Sequence, residues 1–102
     1  MKKKHRNSLD SEELQHLYAI HDRKRKDIYK YGISSDPIGE DGLSDRVRDQ
    51  INLFNLIAGW ARFFAEIILQ NIPGRRKARQ IEDKYIEQYR QKHGHKPRGN
   101  RK

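Results

Sequence analysis

Tyr18, Tyr29, Lys30, Tyr31, Arg46, Arg48, Glu82, His93, His95 and Asn100 are the side chains of this chain able to act on a phosphodiester. Hydrolysis of such a bond needs a deprotonated water, neutralisation of charge building on the phosphorane oxygens, and stabilisation of the leaving oxygen. Phenols, cations and a carboxylate are suited to those tasks. No local signature decides the matter, because the chain has no Gly-rich phosphate loop, paired acid motif or HExxH. His93 and His95 flank Gly94 in a basic tail and read as a solvated segment rather than a metal site.

Glu82 stands out among these residues. Ala78, Glu82, Tyr85 and Tyr89 recur at i, i+4, i+7 and i+11 between Gly74 and His93, with Ile81 and Ile86 flanking them. The carboxylate therefore points at or near a core, where an unpaired polar group costs on the order of 2 to 7 kcal/mol. It needs a partner, and a metal ion or an arginine would serve equally well.

The elements that must position these groups can be read from the same spacing. Leu14 to His21 and Asp27 to Ser34 are short runs with β-branched and aromatic residues, separated by the charged DRKRK, and predict a β-hairpin. Gly32 inside the second strand points to a bulge or to close approach of another group, of which a ligand phosphate is one kind. Ser44 or Asp45 opens a helix with Val47, Ile51, Phe54 and Ile57 on one side. Arg46 and Arg48 in its first turns oppose the helix dipole, so either an anion lies close by or Asp45 and Asp49 neutralise them. Ala61 to Ile72 reads as a third, central strand, and the long helix follows, stopped by Gly94. Upstream, Asp10 or Ser11 could cap a short helical turn, with Glu13 completing a capping box. The order predicts an α+β domain, a small three-stranded antiparallel sheet flanked by helices, over residues 14–102 after a basic linker or arm over residues 1–13.

Composition bounds the possibilities. A chain of 102 residues has room for one modest core. Its net charge is +9, gathered at the two ends: residues 75–102 hold eleven basic and three acidic side chains, whereas residues 27–74 are net acidic. That clustering suits a polyanion, nucleic acid or an anionic membrane surface, or else a soluble lysine-rich surface. The absence of cysteine excludes disulfides, thiolate zinc sites and cysteine nucleophiles. MKKKHR is not followed by an apolar signal region, and the apolar run near Phe63 to Leu69 is too short to span a bilayer, so no membrane insertion is expected.

Taken in order, the residues resemble the GIY-YIG, or URI, endonuclease superfamily. HLYAI followed by IYKYGIS is similar to its paired hairpin motifs, LSDRVRDQI to its arginine helix, IEDKYIEQYR to its glutamate helix, and KPRGN to its closing asparagine. Within the superfamily the YKxG form and the PxGN ending look most like URI-type nuclease domains at the C-termini of bacterial polymorphic toxins. The sequence departs from the pattern at His16 and Leu17, which replace glycine and isoleucine, and at Lys30, which stands where the family has a tyrosine.

The resemblance implies a catalytic set of Tyr18, Lys30, Arg46, Glu82 and Asn100. Tyr18 would activate or position water, Arg46 would bind the scissile phosphate, Glu82 would hold Mg²⁺ or another divalent cation, and Asn100 would orient or pack the site. Tyr29, Tyr31, Gly32, Arg48 and Arg79 would contact the substrate. It also implies a nucleic-acid partner, DNA in preference to RNA, an acidic immunity protein, and delivery within a larger toxin to the cytoplasm of a target cell. A catalytically inactive nucleic-acid-binding module of the same fold is the alternative. Phosphate contacts carry no sequence information, so base specificity is not legible.

Overall fold

A computed structural model describes residues 9–101. Strands β1 (Leu14–Asp22) and β2 (Asp27–Ser34) form the expected hairpin, followed by α1 (Asp45–Ala58), β3 (Phe63–Pro73), α2 (Arg75–His93) and a 3₁₀ turn at Arg98–Asn100. All strand pairs are antiparallel, in the order β2-β1-β3.

The central strand is thus β1, and β3 lies at an edge, contrary to the reading of Ala61–Ile72 as central. Burial explains the difference. Gln15 to Ile20 are buried without interruption because β1 has a strand on either side and a helix over each face. The apolar run in β3 packs less completely, leaving Phe64 and Leu69 exposed.

The side-chain alternation of β1 divides the core in two. Tyr18 and Ile20 join Val47 and Phe63 beneath α1, whereas Leu17 and Ala19 join Tyr31, Ile33, Ile72, Ala78 and Tyr89 beneath α2. On α1 the packed row is Val47, Ile51, Phe54 and Ala58. Ile57, expected in that row, is instead 76% exposed, because ten residues beyond Val47 the helix has turned it toward solvent.

Side-chain caps and clamps fix the element ends. Ser44 Oγ caps α1 by accepting from Val47 N–H and also meets His16 Nε2 at 3.3 Å. Gly59 and Gly94 end the two helices at φ near +80°, where L side chains are strained. The anticipated turn at Asp10–Glu13 is not helical: Ser11 Oγ accepts from Glu13 N–H at 3.4 Å, and the chain passes straight into β1. The buried Ser11 gives its carbonyl to Arg75 N–H at 3.0 Å, joining this segment to the start of α2.

Asp22 is a second buried carboxylate, which periodicity gave no sign of. Its side chain is wholly buried and takes both Arg62 donors at 2.8 Å, Arg98 at 2.6 Å, and the Lys24 and Arg25 N–H groups. The guanidinium of Arg62 holds this carboxyl well below its usual range. Asn100 closes the fold by accepting from Tyr31 N–H and donating to Tyr31 C=O, both at 2.9 Å, so the C-terminal segment occupies backbone groups along the edge of β2.

Candidate active site

Tyr18 projects from the middle of β1 toward α1, and its partner across the hairpin is Gly32. A Cβ on Gly32 would overlap the phenol ring, so the close approach anticipated at this glycine comes from Tyr18. Direct partners in an antiparallel pair share a face, which places Lys30, opposite Ile20, on the α1 side as well.

One α1 side chain joins the two. Gln50 Nε2 donates to the Tyr18 hydroxyl at 2.7 Å, and Lys30 Nζ donates to Gln50 Oε1 at 3.0 Å. Chemistry fixes this orientation of the amide: an ammonium can only donate, so it takes the oxygen and leaves the NH₂ facing the phenol. The Tyr18 oxygen therefore accepts, and although the residue is 1% exposed, its own proton meets no acceptor among the described residues.

Charged groups of α1 and α2 complete the cluster. Burial lowers the Lys30 pKa, Arg46 lowers it further, and Glu82 opposes them. Burial likewise lowers the Arg75 pKa, with Arg46 and Arg79 adding to the effect and Glu82 and Tyr18 opposing it. Glu82 keeps only 14% of its side chain exposed, and burial raises its pKa against the pull of Arg79, Arg75 and Lys30. Among the described residues its nearest ion-pair partner, Arg79 Nε at 3.7 Å, is beyond hydrogen-bond reach, so the carboxylate oxygens keep acceptor capacity toward it. Arginine is thus near Glu82 without saturating it. No cluster of three or more His, Cys, Asp or Glu among the described residues could surround a metal ion.

The first turn of α2 is unusual in the same direction. Arg75, Arg76 and Lys77 occupy it with no acidic residue and no side-chain cap. Cations at the positive end of a helix are unfavourable unless an anion is close by.

Tyr18, Lys30, Arg46, Glu82 and Arg79 therefore lie in one neighbourhood, with Gly32 beneath the Tyr18 ring. The other candidate residues are placed elsewhere. Arg48 is held by Asp41 through two bonds of 2.6 and 2.9 Å, by Asp45, and by Leu43 C=O, which fastens the loop before α1. Tyr31 faces α2, buried edge-to-face against Tyr85. Tyr29 packs under α1 against Phe54 and Phe63, on the Lys30 side, because the register shift between Ile20 and His21 breaks the alternation there. Asn100 is engaged with the Tyr31 backbone. His93 stacks on Tyr89, at the opposite end of α2 from Arg75.

Two members of the cluster escaped the sequence reading. Gln50 is one helical turn beyond Arg46, and Arg75, Arg79 and Glu82 recur at i, i+4 and i+7. Extending the Arg46 face by one turn and the Glu82 face by two would have found Gln50 and Arg75. A cavity of about 730 Å³ lies apart from the cluster, at the hairpin turn between His21, Lys26, Tyr85 and His93. It contains none of the grouped residues.

Residues 8–94 match the protein family described as URI fold toxin 2. No curated protein and no solved structure matches the chain.

Proposed function

The chain belongs to the URI fold toxin 2 family, and from that membership we propose that it is a metal-dependent endonuclease acting on nucleic-acid phosphodiester bonds, DNA in preference to RNA. It would work as the C-terminal module of a larger delivered toxin, in the cytoplasm of the target cell, and be restrained by an acidic immunity protein. Among the described residues no helix is long and apolar enough to cross a membrane. The observation that carries the reading is the Tyr18–Gln50–Lys30 chain set beside Arg46, Arg75 and Glu82.

Each residue has a task in this account. Arg46 and Arg75 bind the scissile phosphate and offset charge that grows on its oxygens. Lys30 polarises the Gln50 amide, which holds the phenol so that the Tyr18 proton is directed to the attacking water or the phosphate. Gly32 leaves room for that ring. Glu82 is the residue that would hold the divalent ion, and one carboxylate suits Mg²⁺, which keeps several waters and takes substrate phosphate oxygens for the rest of its shell. Bound there, the ion would acidify a water and neutralise phosphate charge. Lys30 fills the position of the family tyrosine in a different manner, acting on Tyr18 through Gln50.

The test is cleavage of plasmid DNA and structured RNA with Mg²⁺ by the wild type and by Glu82→Gln. Cleavage by the wild type alone supports the proposal, and equal cleavage by both proteins defeats it. Salt-dependent binding without cleavage under any divalent ion would favour the inactive binding module, the reading that Lys30 in place of tyrosine invites.

A further inference from the structure

The cavity of about 730 Å³ opens between the last turns of α2 and the hairpin end of the sheet. Its size falls among small-molecule sites of roughly 300–1,000 Å³ and exceeds what a lone phosphate needs. Its walls are aromatic. On the sheet side His21 stacks on Phe64, with ring centroids 4.7 Å and planes 10° apart. On the helix side Tyr89 stacks with His93 at 4.1 Å, and Tyr85 lies along the same wall. Phe64 remains 38% exposed, so the fold does not spend this ring on its own core.

Charge narrows the ligand. Arg23, Lys26 and Lys92 line the cavity together with two carboxylates, Asp22 and Asp27. Both carboxylates are already engaged: Asp22 holds Arg62 and Arg98, and Asp27 accepts from the Tyr89 hydroxyl and from Ile28 N–H at 2.7 Å. Glu66, close by, meets His21 at 3.1 Å, and Lys24 and Arg25 add two positive charges on the turn itself. The three lining cations are exposed and have no ion-pair partner among the described residues. Arg23 rests instead over the Phe64 ring at 4.4 Å, a weak contact at an exposed site, so an incoming anion draws it off at little cost and uncovers a ring face. Lys26 closes the hairpin turn at φ +54°, where glycine or asparagine is the easier residue, and so keeps a cation at the rim against backbone preference.

Aromatic walls alone would suit any apolar ring, and cations alone any anion; together they select a planar ring joined to an anionic group. Gln88 lines the cavity as well, with an amide able to donate and to accept, as the edge of a nucleobase requires. We propose that this cleft binds a nucleotide, its base laid against Phe64 and its phosphate held by Arg23, Lys26 and Lys92. The site is separate from the Tyr18–Gln50–Lys30 chain and does not rest on the nuclease reading. A free mononucleotide and an unpaired nucleotide of a longer strand present the same chemistry, and a strand lying along α2 from Arg75 to His93 would cover roughly 27 Å.

Calorimetric titration with AMP in EDTA tests this without any need for cleavage, with adenosine and inorganic phosphate as controls. AMP should bind saturably, about tenfold more tightly than either control or better, and should move the ring resonances of Phe64, Tyr89 and His93 in NMR spectra. Lys26→Asn with Lys92→Gln should bind AMP about tenfold more weakly while melting no lower than the wild type, a pairing of effects that a structural role would not give. Phe64→Leu should weaken AMP and leave phosphate binding as it was. The proposal is overturned by no binding at millimolar AMP, by phosphate binding as tightly as AMP, by unchanged AMP affinity in either variant, or by resonance shifts confined to the surroundings of Gln50. A short single-stranded oligonucleotide, also in EDTA, distinguishes the two sources. Binding tighter than that of AMP and weakened by the double substitution assigns the cleft to a strand; any other result with the oligonucleotide assigns it to a free nucleotide.

Discussion

Gly32 faces Tyr18 directly across the hairpin, and the phenol ring fills the space that any side chain at Gly32 would need. Gly32→Ala must therefore displace the ring or part the strands. Overpacking of this kind costs about 1–3 kcal/mol, so thermal melting should show a lowered midpoint. Cleavage should fall further than the lost stability explains, since the ring carries the hydroxyl that Gln50 holds.

The two arginines of the α1 start have separate fates, and substitution should divide them. Arg46→Ala and Arg75→Ala should each weaken nucleic-acid binding and reduce the slope of log affinity against log salt by about one. Arg48→Ala should leave that slope unchanged and loosen only the loop that Asp41 and Leu43 fasten. Binding titrations at several salt concentrations check all three.

Burial raises the Glu82 pKa above its ordinary 4.5, so the folded protein holds that proton more tightly than the unfolded chain. The stability linked to it is fully present below the unfolded value and is lost as pH rises through the folded value. Glu82→Gln stays neutral throughout, so its melting temperature should gain on the wild type between pH 4 and pH 7. If Glu82 holds a divalent ion, Mg²⁺ should raise the midpoint of the wild type and not that of the variant. Scanning calorimetry at both pH values, with and without Mg²⁺, reads both effects.

Asp22 has the opposite sign. Its pKa is lowered by the Arg62 fork first, then by Arg98 and two N–H groups, against the cost of burial. Its contribution is present above the unfolded value of 3.8 and is lost as pH falls through the folded value. Asp22→Asn leaves two guanidinium groups without their anion and should cost about 3–5 kcal/mol at pH 7. Urea denaturation should show the wild type weakening below about pH 4, with the variant much less sensitive there.

Asn100→Ala removes both bonds to the Tyr31 backbone. Unsatisfied groups of this kind cost about 1–3 kcal/mol each when buried. A lowered melting temperature with cleavage retained at low temperature would mark Asn100 as a residue that holds the edge of β2.

The hairpin, both helices and the half-burial of Glu82 were legible because each rests on local periodicity and punctuation. Ser44 and Gly94 cap or stop helices wherever the chain places them, and Ala78, Tyr85 and Tyr89 can hide only one side of α2. What escaped depends on contacts between distant segments. The apolar run of β3 reads as a central strand until one sees that β1 takes both neighbours. Arg46 and Arg48 are alike in sequence, and only the position of Asp41 decides which is held back from a ligand. Gln50 is one glutamine among several until Lys30 and Tyr18 are found on either side of its amide. Tyr29 and Tyr31 are separated by a register shift that no residue type announces.

The central claim is that the Tyr18 hydroxyl, held by Gln50, takes part in breaking a phosphodiester bond. Single-turnover cleavage of labelled DNA and RNA with Mg²⁺, comparing wild type with Tyr18→Phe, tests it most directly, because phenylalanine keeps the ring over Gly32 and removes only the oxygen. The account predicts a loss of about 10²- to 10⁴-fold in the rate, measured at a temperature where both proteins are folded, with the melting temperature lowered only by the loss of the Gln50 hydrogen bond. Cleavage by Tyr18→Phe at the wild-type rate would contradict it.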